Sequence, residues 1–385
     1  MTKIYTALGT MSGTSLDGID FSIIQTDGEE HLSLAGNNYL EFSNNLKQKI
    51  RSIKSKITST NECKKVINSN EYKDLSKEIT MFHQEGMIKA ASYGGGNPID
   101  IIGFHGITLW HKFTDKYTHQ IGDALLLKKS IAKYKNLKNS EIIFNFREND
   151  ILNGGQGAPL TPIYHKALMK HLKIIDPRLI VNIGGITNVT YLNKGNIFST
   201  DIGPGNCLID KWVKKNFDKN FDKDGKISLE GKVDENLADI FLNKLQEKTK
   251  NKNISYDTSD FDILEFNRLN PKDGAATLSF ITAKAILNFA KDLDLKRIII
   301  CGGGRFNQAI LNNLKKDSFE IFLIDEVTSS ENDDRIFNLN GDFIESQAFA
   351  YLAIRSYVSL PISFPTTTGV KNDCSGGIVF KFKEQ

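Results

Sequence analysis

The chain has 385 residues, 40% of them apolar and 25% charged, and its 49 basic and 46 acidic side chains leave a formal net charge of +3. That near-balance excludes the strongly basic surface of a nucleic-acid binder, and no apolar run approaches the roughly 20 residues that a membrane helix needs. Cys63, Cys207, Cys301 and Cys374 are scattered without Cys-x-x-Cys spacing and no His-Glu-x-x-His occurs, which excludes a zinc or disulfide framework; with no charged-then-apolar leader, reduced thiols in a cytoplasmic protein are expected.

At this length one core rarely keeps growing, so two lobes with a cleft between them are expected. Residues 4–8 read as a strand, and Ile19, Phe21 and Ile23 alternate with polar residues along a second, which places residues 9–20 at the tip of an antiparallel hairpin. Gly9, Gly13 and Gly18 free the backbone to turn its N–H groups inward, and Thr10, Ser12, Thr14 and Ser15 add hydroxyl donors. Such a tip can hold a phosphate; the alternative is a polar turn without a ligand.

Residues 44–89 are Lys-rich with Leu46, Ile50, Ile53 and Ile57 at helical spacing, a solvated helical face. Gly94-Gly95-Gly96-Asn97-Pro98 breaks the chain before a strand at residues 99–104 that runs into His105, either a structural imidazole or a catalytic one. A strand at residues 141–146 leads to Arg147, Asp150 and the loop Gly154-Gly155-Gln156-Gly157. This suits an anion or a sugar, or else is a surface ion pair followed by a plain turn.

Pro177 marks a lobe boundary, giving a first lobe of residues 1–175 plus 361–385 and a second of 176–360. Within the second, a strand at residues 179–183 ends in Gly184-Gly185, and another at 197–200 feeds Asp201-Ile202-Gly203-Pro204-Gly205-Asn206 before a helix from Cys207. Strands that feed a Gly-rich tip carrying Asp thus occur in both halves, as a duplicated fold would leave. The stretch around Asn220, Asp222, Asp224 and Gly225 superficially matches a calcium loop, but the position needing Glu is Gly231, so calcium is rejected. A long helix at residues 273–292 precedes a buried strand at 297–301 and Gly302-Gly303-Gly304 at a helix start, where small residues let a nucleotide touch backbone. Neither Gly-x-Gly-x-x-Gly, nor Gly-x-x-x-x-Gly-Lys-Ser/Thr, nor the protein-kinase signatures occur. Residues 341–358 form a last helix with Glu345 near its start, a helix-dipole carboxylate unless the site lies beside it.

Glycine-rich strand ends at Gly9, Asp201 and Gly302, in that order, are similar to the phosphate, phosphate and adenosine elements shared by actin, heat-shock chaperone ATPases and sugar kinases. More closely, the chain resembles the 1,6-anhydro-N-acetylmuramic acid kinases of bacterial cell-wall recycling, through residues 11–20, Gln120-Ile121-Gly122-Asp123, residues 154–160, Asn182-Ile183-Gly184-Gly185-Ile186, residues 201–206 and residues 301–304. The resemblance implies an α/β, two-lobed actin-like ATPase (ribonuclease H-like) fold with an interlobe cleft. It also implies ATP with Mg2+, phosphorylation of O6 while water opens the internal bridge to give N-acetylmuramic acid 6-phosphate, and a homodimer.

On that resemblance Asp201 takes the position of the base acting on water; its other reading is a carboxylate bracing a glycine turn. The base would stay ionised at pH 7. Gly13, Thr14, Ser15, Leu16, Asp17, Gly18, Ile19 and Asp20, with Gly203, Gly205 and Asn206, would bind the ATP phosphates, and Gly302, Gly303 and Gly304 would back the adenine. Asp17 would contact magnesium through water or else cap the hairpin. His105, Arg147 and Glu345 would line the sugar pocket. The chain departs from the family at Ile107 (usually Gln), at Asn145 (usually Asp) and at residues 256–261, which replace Lys-Ser-Thr-Gly-Arg-Glu. A kinase for another amino sugar, or a nucleotide-dependent conformational switch, are the competing readings.

Overall fold

The structure, a computed structural model, describes residues 3–13, 15–93, 96–174, 178–249, 255–327 and 339–380; Thr14, Gly94, Gly95 and Pro177, used above, lie outside them. The chain divides into two compact units, Met1–His171 with Phe343–Gln385, and Leu172–Asp342.

In the first unit the strands are β1 (Tyr5–Met11), β2 (Gly18–Thr26), β3 (Leu32–Glu41), β4 (Ile101–Phe104), β5 (Ile107–Lys112), β6 (Tyr117–Ile121) and β7 (Glu141–Phe144). The main sheet runs β3-β2-β1-β4-β7, with Ile378–Val379 at the edge beside β7, and β5 and β6 form a separate hairpin. β1, β2 and β3 pair antiparallel, whereas β4 and β7 run parallel to β1.

The second unit holds β8 (Arg178–Ile183), β9 (Ile186–Asn193), β10 (Asn196–Pro204), β11 (Arg297–Cys301) and β12 (Glu320–Leu323), in the order β10-β9-β8-β11-β12. Again the first three are antiparallel and the last two parallel to the first. An antiparallel meander continued by two parallel strands, made twice, is the topology of the actin-like ATPase (ribonuclease H-like) α/β fold. The repeat also corrects an expectation. By position the counterpart of the β1–β2 tip is the β8–β9 turn at Gly184-Gly185, whereas Asp201 lies on the third strand of its meander.

Strand alternation explains the layering of the first sheet. Leu8, Phe21 and Ile23 join a core with Ile79 and Met87 of the Asn70–Tyr93 helix. Gly9 lies on the opposite face, where a Cβ would overlap the Ser346 carbonyl and the Ala350 amide of the Ile344–Tyr357 helix, and a Cβ on Gly103 would meet the Phe349 carbonyl. Two glycines on neighbouring strands therefore seat that helix backbone to backbone, which binds it to the first unit and moves the expected boundary from residue 360 to Asp342. In the second unit Trp212 of the Cys207–Phe217 helix fills the space left by Gly274 of the Pro271–Asp292 helix and donates its indole N–H to the Pro271 carbonyl at 2.7 Å.

Residues 44–89 resolve into the helices Asn44–Ser55, Thr60–Val66 and Asn70–Tyr93, the first two started by Ser43 and Ser59 side chains that accept from Leu46 and Glu62 amides. Asp222 accepts from the Ile227 and Ser228 amides, so the rejected calcium loop is a helix start. Among the described residues no group of three or more His, Cys, Asp and Glu could hold a metal, and no helix is long and apolar enough to cross a membrane.

Candidate active site

The register Met11↔Asp20 leaves residues 12–17 as the tip of the first hairpin. The tip is a built structure: the Leu16 amide closes onto the Gly13 carbonyl at 3.2 Å, and the Asp17 carbonyl accepts from the Phe42 amide at 2.9 Å. Leu16 adopts a left-handed φ of 59° and sinks its side chain into the core beside Ile19. A Cβ on Gly18 would collide with Leu40 and Tyr39, whereas one on Gly13 would meet only the Ser15 hydroxyl, at 3.7 Å.

So, of the residues expected to meet ATP here, Leu16, Gly18 and Ile19 hold the tip in shape. Gly13 offers open backbone, Ser15 and Asp17 are exposed, and Asp20 is half-buried. Ser12, one of the hydroxyl donors expected at this tip, has a buried hydroxyl with no hydrogen-bond partner, which a ligand oxygen would satisfy. Burial, then the negative charges of Asp17, Glu41 and Asp20, push the Tyr39 phenol up to about 12. The tip thus carries acidic side chains on one flank.

In the second unit the Gly205 amide donates to the Gly185 carbonyl at 2.9 Å and the Asn206 amide to the Gly184 carbonyl at 2.8 Å, while Asn206 Nδ2 reaches the Ile183 carbonyl at 3.3 Å. A Cβ on Gly203 would meet Leu245 at 2.7 Å. These amides are already used inside the unit rather than left open toward a phosphate. They instead buttress the β8–β9 turn, where a Cβ on Gly184 would approach only the Ile186 carbonyl, at 3.5 Å. The duplicated strand-turn-strand pattern was the signal for this turn.

Asp201 lies on β10 opposite Asn188, next to a bulge between Asp201 and Gly203. Only 8% of its surface is exposed, and its Oδ2 accepts from the Tyr256 amide at 2.7 Å. Burial pushes its pKa up to about 7, with the Tyr256 amide pulling the other way. The expected fully ionised base is thus a carboxyl poised to exchange a proton near neutrality, because among the described residues no cation offsets the loss of water.

At Gly302 the backbone takes a φ of 78°, next to Asn182 and Ile183 at the end of β8; Gly304 packs on Ile183, and Gly303 has nothing within 4 Å of where a Cβ would stand. Arg305, only 1% exposed, clamps the segment: Nε donates to Asp325 at 2.6 Å, and Nη1 to Asp342 at 2.7 Å and to the Gly302 carbonyl at 3.1 Å. Arg305→Met is expected to cost about 1–3 kcal/mol, since the freed carboxylates can rehydrate, and thermal melting measures it. An unchanged melting temperature would mean that the clamp contributes nothing.

His105, Arg147 and Glu345 come together in the first unit. The His105 Nδ1–H donates to the Gly106 carbonyl at 3.0 Å, leaving Nε2 to accept from Arg147 Nε at 3.2 Å and Nη2 at 3.0 Å. Burial, then the Arg147 charge, holds His105 well below the usual histidine range, so it is neutral. Burial pushes the Glu345 carboxyl up while Arg147 opposes the rise. Phe349 underlies both partners, its ring 4.3 Å from that of His105 and 5.9 Å from the guanidinium carbon of Arg147.

Asp150 is buried rather than part of a surface pair, and accepts from the Gly157 amide at 2.5 Å while Arg147 Nη1 donates to the Gly157 carbonyl at 2.8 Å. The Gly-rich loop is thereby held from both sides. Ile107 fills the core, and Asn145 takes a φ of 56°, which an Asn tolerates, with its amide donating to Glu148.

Residues 5–382 match the family described as anhydro-N-acetylmuramic acid kinase. The anhydro-N-acetylmuramic acid kinase of Pelagibacter ubique is 39% identical over 99% of this chain and 100% of its own length, and that of Agrobacterium fabrum 34% identical over 99% and 100%. A solved structure, the activator of the 2-hydroxyisocaproyl-CoA dehydratase from Clostridium difficile with bound ADPNP, superposes with a TM-score of 0.42 at 12% identity, covering 91% of this chain and 94% of that one.

Proposed function

Because the chain belongs to the anhydro-N-acetylmuramic acid kinase family, matched over residues 5–382, we propose that Asp201 is the base of an ATP-dependent kinase reaction serving peptidoglycan recycling. Asp201 accepts a proton from water, whose oxygen bonds to C1 of 1,6-anhydro-N-acetylmuramic acid. The C1–O6 bond breaks, and the freed O6 pair attacks the γ-phosphorus of ATP as its bond to the β-γ bridging oxygen breaks. The products are N-acetylmuramic acid 6-phosphate and ADP. The observation that carries this reading is a nearly buried carboxyl with one amide donor and a pKa of about 7, the range in which general-base catalysis is most effective.

The Gly13 tip with Ser12 and Ser15, and the Gly184-Gly185 turn, are assigned to the phosphates, Gly302 to Gly304 to the adenosine, and His105, Arg147 and Glu345 to the sugar. Magnesium keeps most of its waters and binds chiefly through phosphates, which fits the exposed Asp17 as a contact through water and needs no cage of protein ligands. When bound, it neutralises phosphate charge. We place the reaction in the cytoplasm and the enzyme in a homodimer; a monomeric elution volume would remove the latter.

Incubation with ATP and the anhydro sugar should give a product heavier by one phosphate and one water, read by mass spectrometry. No mass gain on that sugar, with another amino sugar labelled, would redirect the assignment. Gly303→Val should fold normally, since nothing lies within 4 Å of its Cβ, yet raise KM for ATP roughly tenfold or more, a loss of at least about 1.4 kcal/mol. An unaltered KM would move the nucleotide away from this turn.

A further inference from the structure

The segment at residues 256–261 has a role that its side chains do not explain. The Tyr256 hydroxyl is buried without a hydrogen-bond partner, and its ring stands 5.0 Å from that of Phe261. Its polar function is the backbone amide, which reaches 55 residues back along the chain to Asp201 Oδ2 at 2.7 Å.

An irregular segment can hold an amide in place only if it is itself fastened. Within it, the Asp257 and Asp260 carboxylates accept from each other's end of a single turn. From outside, Lys211 spends its ammonium on two carbonyl oxygens, those of Thr258 at 3.0 Å and Phe261 at 2.9 Å. Lys211 forms no ion pair within 4 Å among the described residues, and it lies on the Cys207–Phe217 helix that follows the Asp201 loop. Lysine is an economical choice for this, since one flexible ammonium can satisfy several acceptors at once.

We propose that Lys211 is a positioning residue for the reaction: it holds residues 256–261 so that the Tyr256 amide orients the Asp201 carboxyl toward the attacking water. This rests on the reading of Asp201 as the base. One oxygen is engaged by the amide, so the carboxyl cannot rotate freely and its other oxygen keeps a fixed direction. Loss of that orientation acts on the transition state more than on ground-state binding, so it lowers kcat and spares KM.

The test uses the full chain with ATP and the anhydro sugar. Lys211→Met should lower kcat roughly ten- to a hundredfold, the worth of a hydrogen bond to a charged group, with KM for both substrates and the melting temperature little changed. Lys211→Arg, which keeps the donors, should recover much of the loss. Lys214→Met, on the same helix but paired with Asp218 at the surface, should behave as wild type. If Lys211→Met misfolds, Tyr256→Pro deletes the donor itself and should show the same selective loss of kcat. Wild-type kcat in a folded Lys211→Met, or in Tyr256→Pro, overturns the proposal while leaving Asp201 as base. Full turnover by Asp201→Asn would overturn both.

Discussion

Asp201→Asn is expected to lose turnover by about a hundred- to ten-thousandfold while still binding ATP, because an amide cannot accept the proton of the attacking water. The same carboxyl sets the pH dependence. A base must be deprotonated, so kcat/KM of the wild type should fall about tenfold per pH unit below about 7, where burial holds Asp201. Stability should move in the opposite sense. A carboxyl raised from 3.8 to about 7 in the folded state favours folding at acid pH and loses that contribution as pH rises through 7. The Asn variant should therefore be more stable than wild type above neutrality, by up to about 4 kcal/mol from a shift of about three pKa units, and lose that advantage toward pH 4. Unchanged turnover in the variant would remove Asp201 as base; unchanged alkaline stability would contradict its burial as an unpaired acid.

Gly9→Ala should be among the most damaging single substitutions in the first unit, although it adds one methyl group. The added carbon would overlap backbone atoms of Ser346 and Ala350, and neither strand nor helix can yield as a side chain would. A loss of roughly 3 kcal/mol or more is expected, at or above the upper end of overpacking costs. Thermal melting and soluble yield would show it. Gly13→Ala, only four residues along the same hairpin, should melt like wild type, because its neighbour is a side-chain hydroxyl at 3.7 Å; its effect belongs on KM for ATP. Equal melting temperatures for all three proteins would refute the seating of the Ile344–Tyr357 helix on glycine.

The amino-acid sequence by itself determined the alternation that makes β1 and β2 a hairpin, the helical spacing of residues 273–292 and, through its motifs, the family. His105, Arg147 and Glu345 were also readable as a group, since motif positions survive wherever the chain folds back. Only the tertiary structure decided which glycines are open and which meet backbone. Gly9, Gly18 and Gly205 look like phosphate glycines in a string of letters, yet a distant carbonyl or ring occupies the space of their missing side chains. It likewise decided that Gly184-Gly185 is the partner of the first tip, that the last helix belongs to the first unit, and that Tyr256 reaches Asp201. The physical reason is one of range: periodicity and turn chemistry act over a few residues, whereas close approach and loss of water depend on segments that the chain brings together only after folding.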